Sequence, residues 1–148
     1  MAKDTRYAAS VARPVAEELL ALLAPGCARI EIAGSLRRGR ADPGDIELLC
    51  IPKPSDNLFF KDALDEAVKA MLASGRLGMR PSIKGVAAYG PRNKLLVHTV
   101  SGIGIDLFST TAENWGMALV VRTGPAAFNI WFMAHLRQLS KRGHAYGG

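Results

Sequence analysis

Apolar residues recur at helical spacing over residues 8–23, where Val15, Leu19, Leu20, Leu22 and Leu23 share a stripe. The spacing predicts a helix, with Pro14 in an early turn or restarting it, and Pro25-Gly26 ending it. The pattern then shortens to strand-like runs. Ile30, Glu31 and Ile32 lead into Gly34-Ser35, and Ile46, Leu48, Leu49 and Ile51 follow a basic stretch. This predicts a strand over 28–33, a Gly-Ser turn, a basic loop and a second strand ending near Ile51, stopped by Pro52 and Pro54. Helical spacing returns over 57–73 through Leu58, Leu64, Val68, Met71 and Leu72. Ser55 or Asp56 is the expected N-cap, and Gly75 closes the helix. Residues 76–92 are rich in Gly and Pro, with a short strand expected near 79–87. Apolar runs at 94–100 and 103–108 flank Ser101-Gly102 and predict a hairpin. Thr110 or Thr111 caps a helix over 112–120. Thr123-Gly124-Pro125 breaks the chain, and Pro125 opens a last helix over 126–140, followed by a loose tail. The order predicts an α+β fold, a small mixed sheet with helices packed on it.

Candidate chemistry concentrates in residues 33–50. On a strand, positions i and i+2 point to one face, so Asp45 and Glu47 stand side by side with Ile46 turned into the core. Adjacent carboxylates repel unless a cation neutralises them, and oxygen ligands of this kind suit Mg2+. The turn at Gly34-Ser35 offers backbone N–H groups and a hydroxyl, which suit a phosphate. A third acid, Asp106, lies inside the apolar run GIDLF, where burial is costly unless the carboxylate is paired or metal-bound. Beside Asp45 and Glu47 it completes a cluster able to hold two divalent ions. Taken singly, each acid also reads as a strand residue facing water. Metal carboxylates beside a phosphate turn point to phosphoryl or nucleotidyl transfer.

Length and charge narrow the class. A chain of 148 residues makes one domain with a real core. No apolar run is long enough to span a bilayer, and MAKDTRYAAS lacks the apolar segment of a secretory signal, so no membrane partner is expected. Cys27 and Cys50, without CxxC spacing, read as buried thiols in a reducing, cytoplasmic setting. The net charge of +6 is unevenly spread. Residues 76–148 carry nine Lys or Arg against Asp106 and Glu113. That half suits a polyanion, or is a solvated basic surface. His98 and His135 show no ligand-like spacing and read as structural. Trp115 and Trp131 read as core or as base-stacking groups.

These residues resemble the nucleotidyltransferase superfamily and, within it, the family X DNA polymerases, over residues 6–145. Gly34-Ser35-Leu36-Arg37-Arg38-Gly39 is similar to that family's GSxRRG, and Gly44-Asp45-Ile46-Glu47 to its GDxD. Ile105-Asp106-Leu107 resembles its third-carboxylate strand, and Thr123-Gly124 with Phe128-Asn129 its nucleotide-binding segment. The resemblance implies a palm-like part over about 1–110 and a fingers-like helical part over about 111–142. A monomer is expected, departing from larger members of the family in having no N-terminal lyase domain and an absent or truncated thumb. Asp45, Glu47 and Asp106 would ligate two Mg2+ ions, with Mn2+ as a substitute, and Asp106 would orient the primer 3′-hydroxyl. Gly34, Ser35, Arg38 and the Gly44 backbone would hold the triphosphate, with Arg6 at its terminal phosphate. Asn129 would contact the base or its minor-groove edge, in the nucleotide-binding segment with Thr123 and Gly124. The implied function is nucleotide addition to DNA, in replication or repair. Transfer to another acceptor, such as RNA, protein or a small molecule, is the alternative. The sequence departs from the family at Glu47, where Asp is usual, at Gly104, where a basic residue is usual, and at Met133, where Arg is expected. At Val121-Arg122 aromatics usually precede Thr-Gly.

Overall fold

The computed structural model describes residues 5–81 and 88–141. Its elements, in chain order, are helix α1 (Ala9–Leu23), strand β1 (Cys27–Ala33), the single helical turn α2 (Gly34–Arg37), strand β2 (Asp45–Pro52) and helix α3 (Ala63–Ala73). Strands β3 (Leu77–Met79), β4 (Asn93–His98) and β5 (Gly104–Ser109) follow, then helices α4 (Trp115–Thr123) and α5 (Ala126–Lys141). The five strands form one mixed sheet in the order β1-β2-β5-β4-β3. Only β2 and β5 pair in parallel; the other neighbours are antiparallel. The α+β layout expected from the sequence is what forms.

Alternation along the strands divides the sheet into two faces. Ile46, Leu48 and Cys50 of β2 and Ile105 and Leu107 of β5 enter the main core. There α1 packs on β1 and β2, and α3 packs on β3 and α1. The buried stripe of α1 is Ala12, Ala16, Leu19 and Leu23, so two small side chains let the helix approach the sheet. Leu22, expected in that stripe, is exposed. Pro14 lies within a continuous helix rather than restarting it. On the opposite face Ala33, Leu49, Phe108 and Trp115 form a smaller cluster beneath α4. Ile46 and Leu48 have no exposed surface. Burying each contributes about 1.5–3 kcal/mol. A slip of one residue would turn both to the other face and drive the acids into the core, so burial fixes the register.

Three expectations change. The helix over 57–73 begins only at Ala63. Asp62, not Ser55 or Asp56, is its N-cap, its carboxylate accepting from the Asp65 amide at 2.7 Å. Before it, the Asn57 amide donates to Ser55 Oγ and the Phe59 amide to Asn57 Oδ1, which holds turns instead of helix and leaves Leu58 exposed. The helix over 112–120 starts at Trp115, because a turn closed by the Asn114 amide on the Thr111 carbonyl occupies its expected first residues. The strand expected near 79–87 ends at Met79; residues 82–87 lie outside the described residues, as does the tail after 141.

Trp115 is a core residue, with the Arg29 guanidinium 4.3 Å from its ring centre, whereas Trp131 is exposed and stacks on His135. His98 is buried and structural, its Nδ1 sharing a hydrogen bond of 2.7 Å with Ser101. Cys27 and Cys50 are buried free thiols. Among the described residues no helix is long and apolar enough to cross a membrane.

Candidate functional site

The parallel register sets Glu47 directly opposite Asp106, with Asp45 opposite Gly104. All three acids therefore rise from the sheet face turned away from α1 and α3. One carboxylate oxygen from each lies within 4.8 Å of the others. Chain alternation puts Asp45 and Glu47 together, and strand pairing brings in Asp106 across a gap of about sixty residues of sequence.

Burial and mutual repulsion leave their mark on the proton affinities. Burial first, then the Asp106 charge, pushes Asp45 up to about 6. Burial first, then the charges of Asp45 and Asp106, pushes Glu47 up to about 7. Both groups sit where negative charge is costly without a compensating cation.

Asp45 and Glu47 line a cleft of about 440 Å3; Asp106 does not line it, but its ion-pair partner Arg80 does. The cleft walls include Ser35, Arg6, Arg38, Arg40 and Gly44, together with Tyr7. The Gly-Ser turn is the first turn of α2, with the Arg38 amide donating to the Gly34 carbonyl and the Arg40 amide to the Ser35 carbonyl. Gly34 adopts a positive φ of 64° and packs against the Glu47 carboxylate, where a Cβ would lie 2.8 Å from its Cδ. Gly44 makes room for Arg6, whose Nη1 would be 3.2 Å from a Cβ there.

The basic run divides by direction. Arg37 turns back to β1, donating to Glu31 and to the Ile32 carbonyl. Arg40 pairs with Asp42 at 3.0 Å while still lining the cleft. Arg38 lines it too, and donates Nη1 to the Thr123 carbonyl at the end of α4.

Thr123, Gly124 and Asn129 do not line the carboxylate cleft; Arg38, which does, donates to the Thr123 carbonyl. The Asn129 amide Nδ2 donates to the Val121 carbonyl at 2.7 Å, so its donor is used inside the protein. The Thr123 hydroxyl and the Asn129 Oδ1 are buried with no hydrogen-bond partner. Both atoms keep unused hydrogen-bonding capacity within the 123–129 segment. Arg122 lies 3.8 Å from the Phe108 ring centre, and its charge lowers the proton affinity of Glu47.

Sequence reasoning did not find Arg80, which follows β3 and forms an ion pair with Asp106. The readable signal was Gly104, a glycine inside a strand two positions before the acid, which marks a close approach by another group. Tyr7 and Arg40 were also missed as cleft residues. No family model matches the sequence, and no curated protein matches it.

Proposed function

We propose that this chain is a nucleotidyltransferase of the family X DNA polymerase type, adding nucleotides from triphosphates to a DNA primer 3′-hydroxyl. The observation that carries the reading is the convergence of Asp45, Glu47 and Asp106 within 4.8 Å of one another, where Asp45 and Glu47 line a cleft that Arg6, Arg38 and Arg40 also line.

An all-oxygen donor set of three converging carboxylates fits Mg2+ or Mn2+. The upward shifts of Asp45 and Glu47 express the same need for a cation. Asp45, Glu47 and Asp106 would hold two ions, which when bound activate the attacking hydroxyl and neutralise the leaving phosphates. In the reaction, the 3′-oxygen attacks the α-phosphorus, the bond to the bridging oxygen breaks, and pyrophosphate leaves. Positioning and charge neutralisation dominate such a step.

The protein's own contribution is to place both partners. Ser35 and the Gly34 and Gly44 backbone meet phosphate oxygens, and Arg6 and Arg38 oppose their charge. Asp106, on the central strand, faces the primer end. The sheet-bearing part would act as palm and the helices after residue 110 as fingers. The basic balance of residues 76–148 supports a nucleic-acid partner.

Primer extension with Mg2+ on nicked, gapped and single-stranded DNA, with dNTPs and NTPs supplied separately, tests the reading. Extension by the native chain and none by Asp106→Asn is the expected result. Triphosphate consumption without extension would move the reading to another acceptor, such as RNA, protein or a small molecule. No consumption on any substrate would overturn it.

A further inference from the structure

Arg80 and Asp106 stand two strands apart. The Arg80 amide donates to the Leu95 carbonyl at 3.2 Å, and Leu95 pairs with Asp106 in the β4–β5 ladder. Glu47 continues the same row on β2. The Arg80 side chain crosses β4 and ends on Asp106 Oδ1 through Nη2. Both side chains are largely buried, 17% and 14% exposed.

The guanidinium lies in space that a side chain at position 104 would fill. A Cβ on Gly104 would overlap Arg80 Nη1 and lie 3.1 Å from its Cζ. Gly104 does not have a positive φ. Its backbone conformation therefore accepts any residue, and space alone requires glycine there. Gly104 and Asp106 also share a strand face, so Gly104 leaves the flank of Asp106 open to an arginine from elsewhere in the chain.

We propose that Arg80 is a positioning residue for Asp106, and that Gly104 is the vacancy that admits it. The inference rests on the metal reading of the three acids. Arg80 engages Asp106 through Oδ1, while a carboxylate oxygen of Asp106 lies within 4.8 Å of those of Asp45 and Glu47. A carboxylate facing two like charges turns away from them unless something holds it. Arg80 holds it from the side opposite Glu47, so the ligand oxygens converge before a cation arrives. Hydrogen-bond partners of metal ligands commonly contribute 10–100-fold to metal affinity.

The experiment is a Mn2+ titration of the full chain, followed by the electron paramagnetic resonance of the free ion, with melting curves to verify folding. Arg80→Ala is expected to weaken Mn2+ binding about tenfold or more, and Arg80→Lys to recover part of the loss. Gly104→Ala, which displaces the guanidinium, is expected to weaken binding alone but to add nothing in the Arg80→Ala background. The Arg80→Lys and Gly104→Ala variants carry the test if Arg80→Ala does not fold. Equal or tighter binding by folded Arg80→Ala would overturn the proposal and make Arg80 a competitor of the cation. Additive losses in the double variant would overturn the role of Gly104. A native chain that binds no Mn2+ would remove the metal reading itself, and this inference with it.

Discussion

Gly34 and Glu47 meet across the space where a side chain at position 34 would stand. Two independent constraints coincide there: a positive φ of 64°, and a Cβ position 2.8 Å from Glu47 Cδ and 2.9 Å from Oε2. Gly34→Ala therefore strains the turn by about 1–2 kcal/mol and pushes the Glu47 carboxylate away from its partners. A displacement of about 1 Å at such a site costs on the order of a hundredfold in rate. The expected outcome is a folded protein with weakened divalent-ion binding and transfer reduced about that much. Isothermal titration with Mg2+ beside primer extension checks it. Full activity in Gly34→Ala would show that Glu47 has room to move.

How far the site could be read from the sequence follows from the range of each contact. Asp45 and Glu47 were legible because alternation on a strand is local, and Asp106 because an acid inside GIDLF needs a reason. Their meeting depended on β2 and β5 pairing in parallel, which a hairpin signal does not dictate. Arg80 was hidden because its contact crosses an intervening strand. The start of α3 was misread because Leu58 continues a helical spacing. The capping carboxylate of Asp62 and the side-chain turns at Ser55 and Asn57 outweigh that spacing. For Asn129 the resemblance implies a base contact; its Nδ2 donates to the Val121 carbonyl, and its Oδ1 has no partner.

The acid cluster makes the metal-free protein sensitive to pH in a direction opposite to most salt-bridged acids. Asp45 and Glu47 rise to about 6 and about 7 when folded. Their unfolded values lie near 4. Between those limits the folded state binds more protons than the unfolded state, so stability falls as pH rises through that window. Melting temperatures in chelator are expected to drop from pH 4.5 to pH 7.5 through this contribution, and Mg2+ to restore them at the upper end. Glu47→Gln should flatten the trend while abolishing the Mg2+ effect. A native melting curve rising with pH across the window, unchanged by Glu47→Gln, would count against it.

DNA affinity should depend steeply on salt. Arg92 and Arg137 are exposed on the basic half of the chain, and Arg40 lines the cleft. With about three phosphate contacts the logarithmic slope is about −2.7, roughly a fortyfold loss between about 50 and 200 mM salt. Each of these arginines that meets a phosphate reduces the slope by about 1 when replaced by alanine. Fluorescence anisotropy on gapped DNA measures both quantities. A flat salt response would exclude a phosphate-tracking surface.

Arg38 links two parts of the site that the sequence separates by 85 residues. From the turn beside Glu47 its Nη1 donates to the Thr123 carbonyl, and the missing Cβ of Gly124 would lie 3.1 Å from the same nitrogen. The segment it holds carries the orphaned Thr123 hydroxyl and Asn129 Oδ1. Guanidinium has donors to spare, so one arginine can keep Thr123 and still offer N–H groups to a phosphate in the cleft. An ammonium on a flexible stem lacks that fixed fork. Arg38→Lys is therefore expected to retain charge yet lose the link, and Arg38→Ala to lose both. A hydrogen bond of about 1 kcal/mol corresponds to roughly fivefold in local opening. The Gly124 amide, bonded to the Val120 carbonyl, and the Asn129 amide, bonded to the Pro125 carbonyl, should exchange about that much faster in either variant. Leu19 in the main core should be unaffected. Triphosphate binding should weaken in both variants, more in Arg38→Ala. Unchanged exchange at Gly124 and Asn129 in both would mean that the 123–129 segment is held without Arg38, and that the two parts of the site are energetically separate.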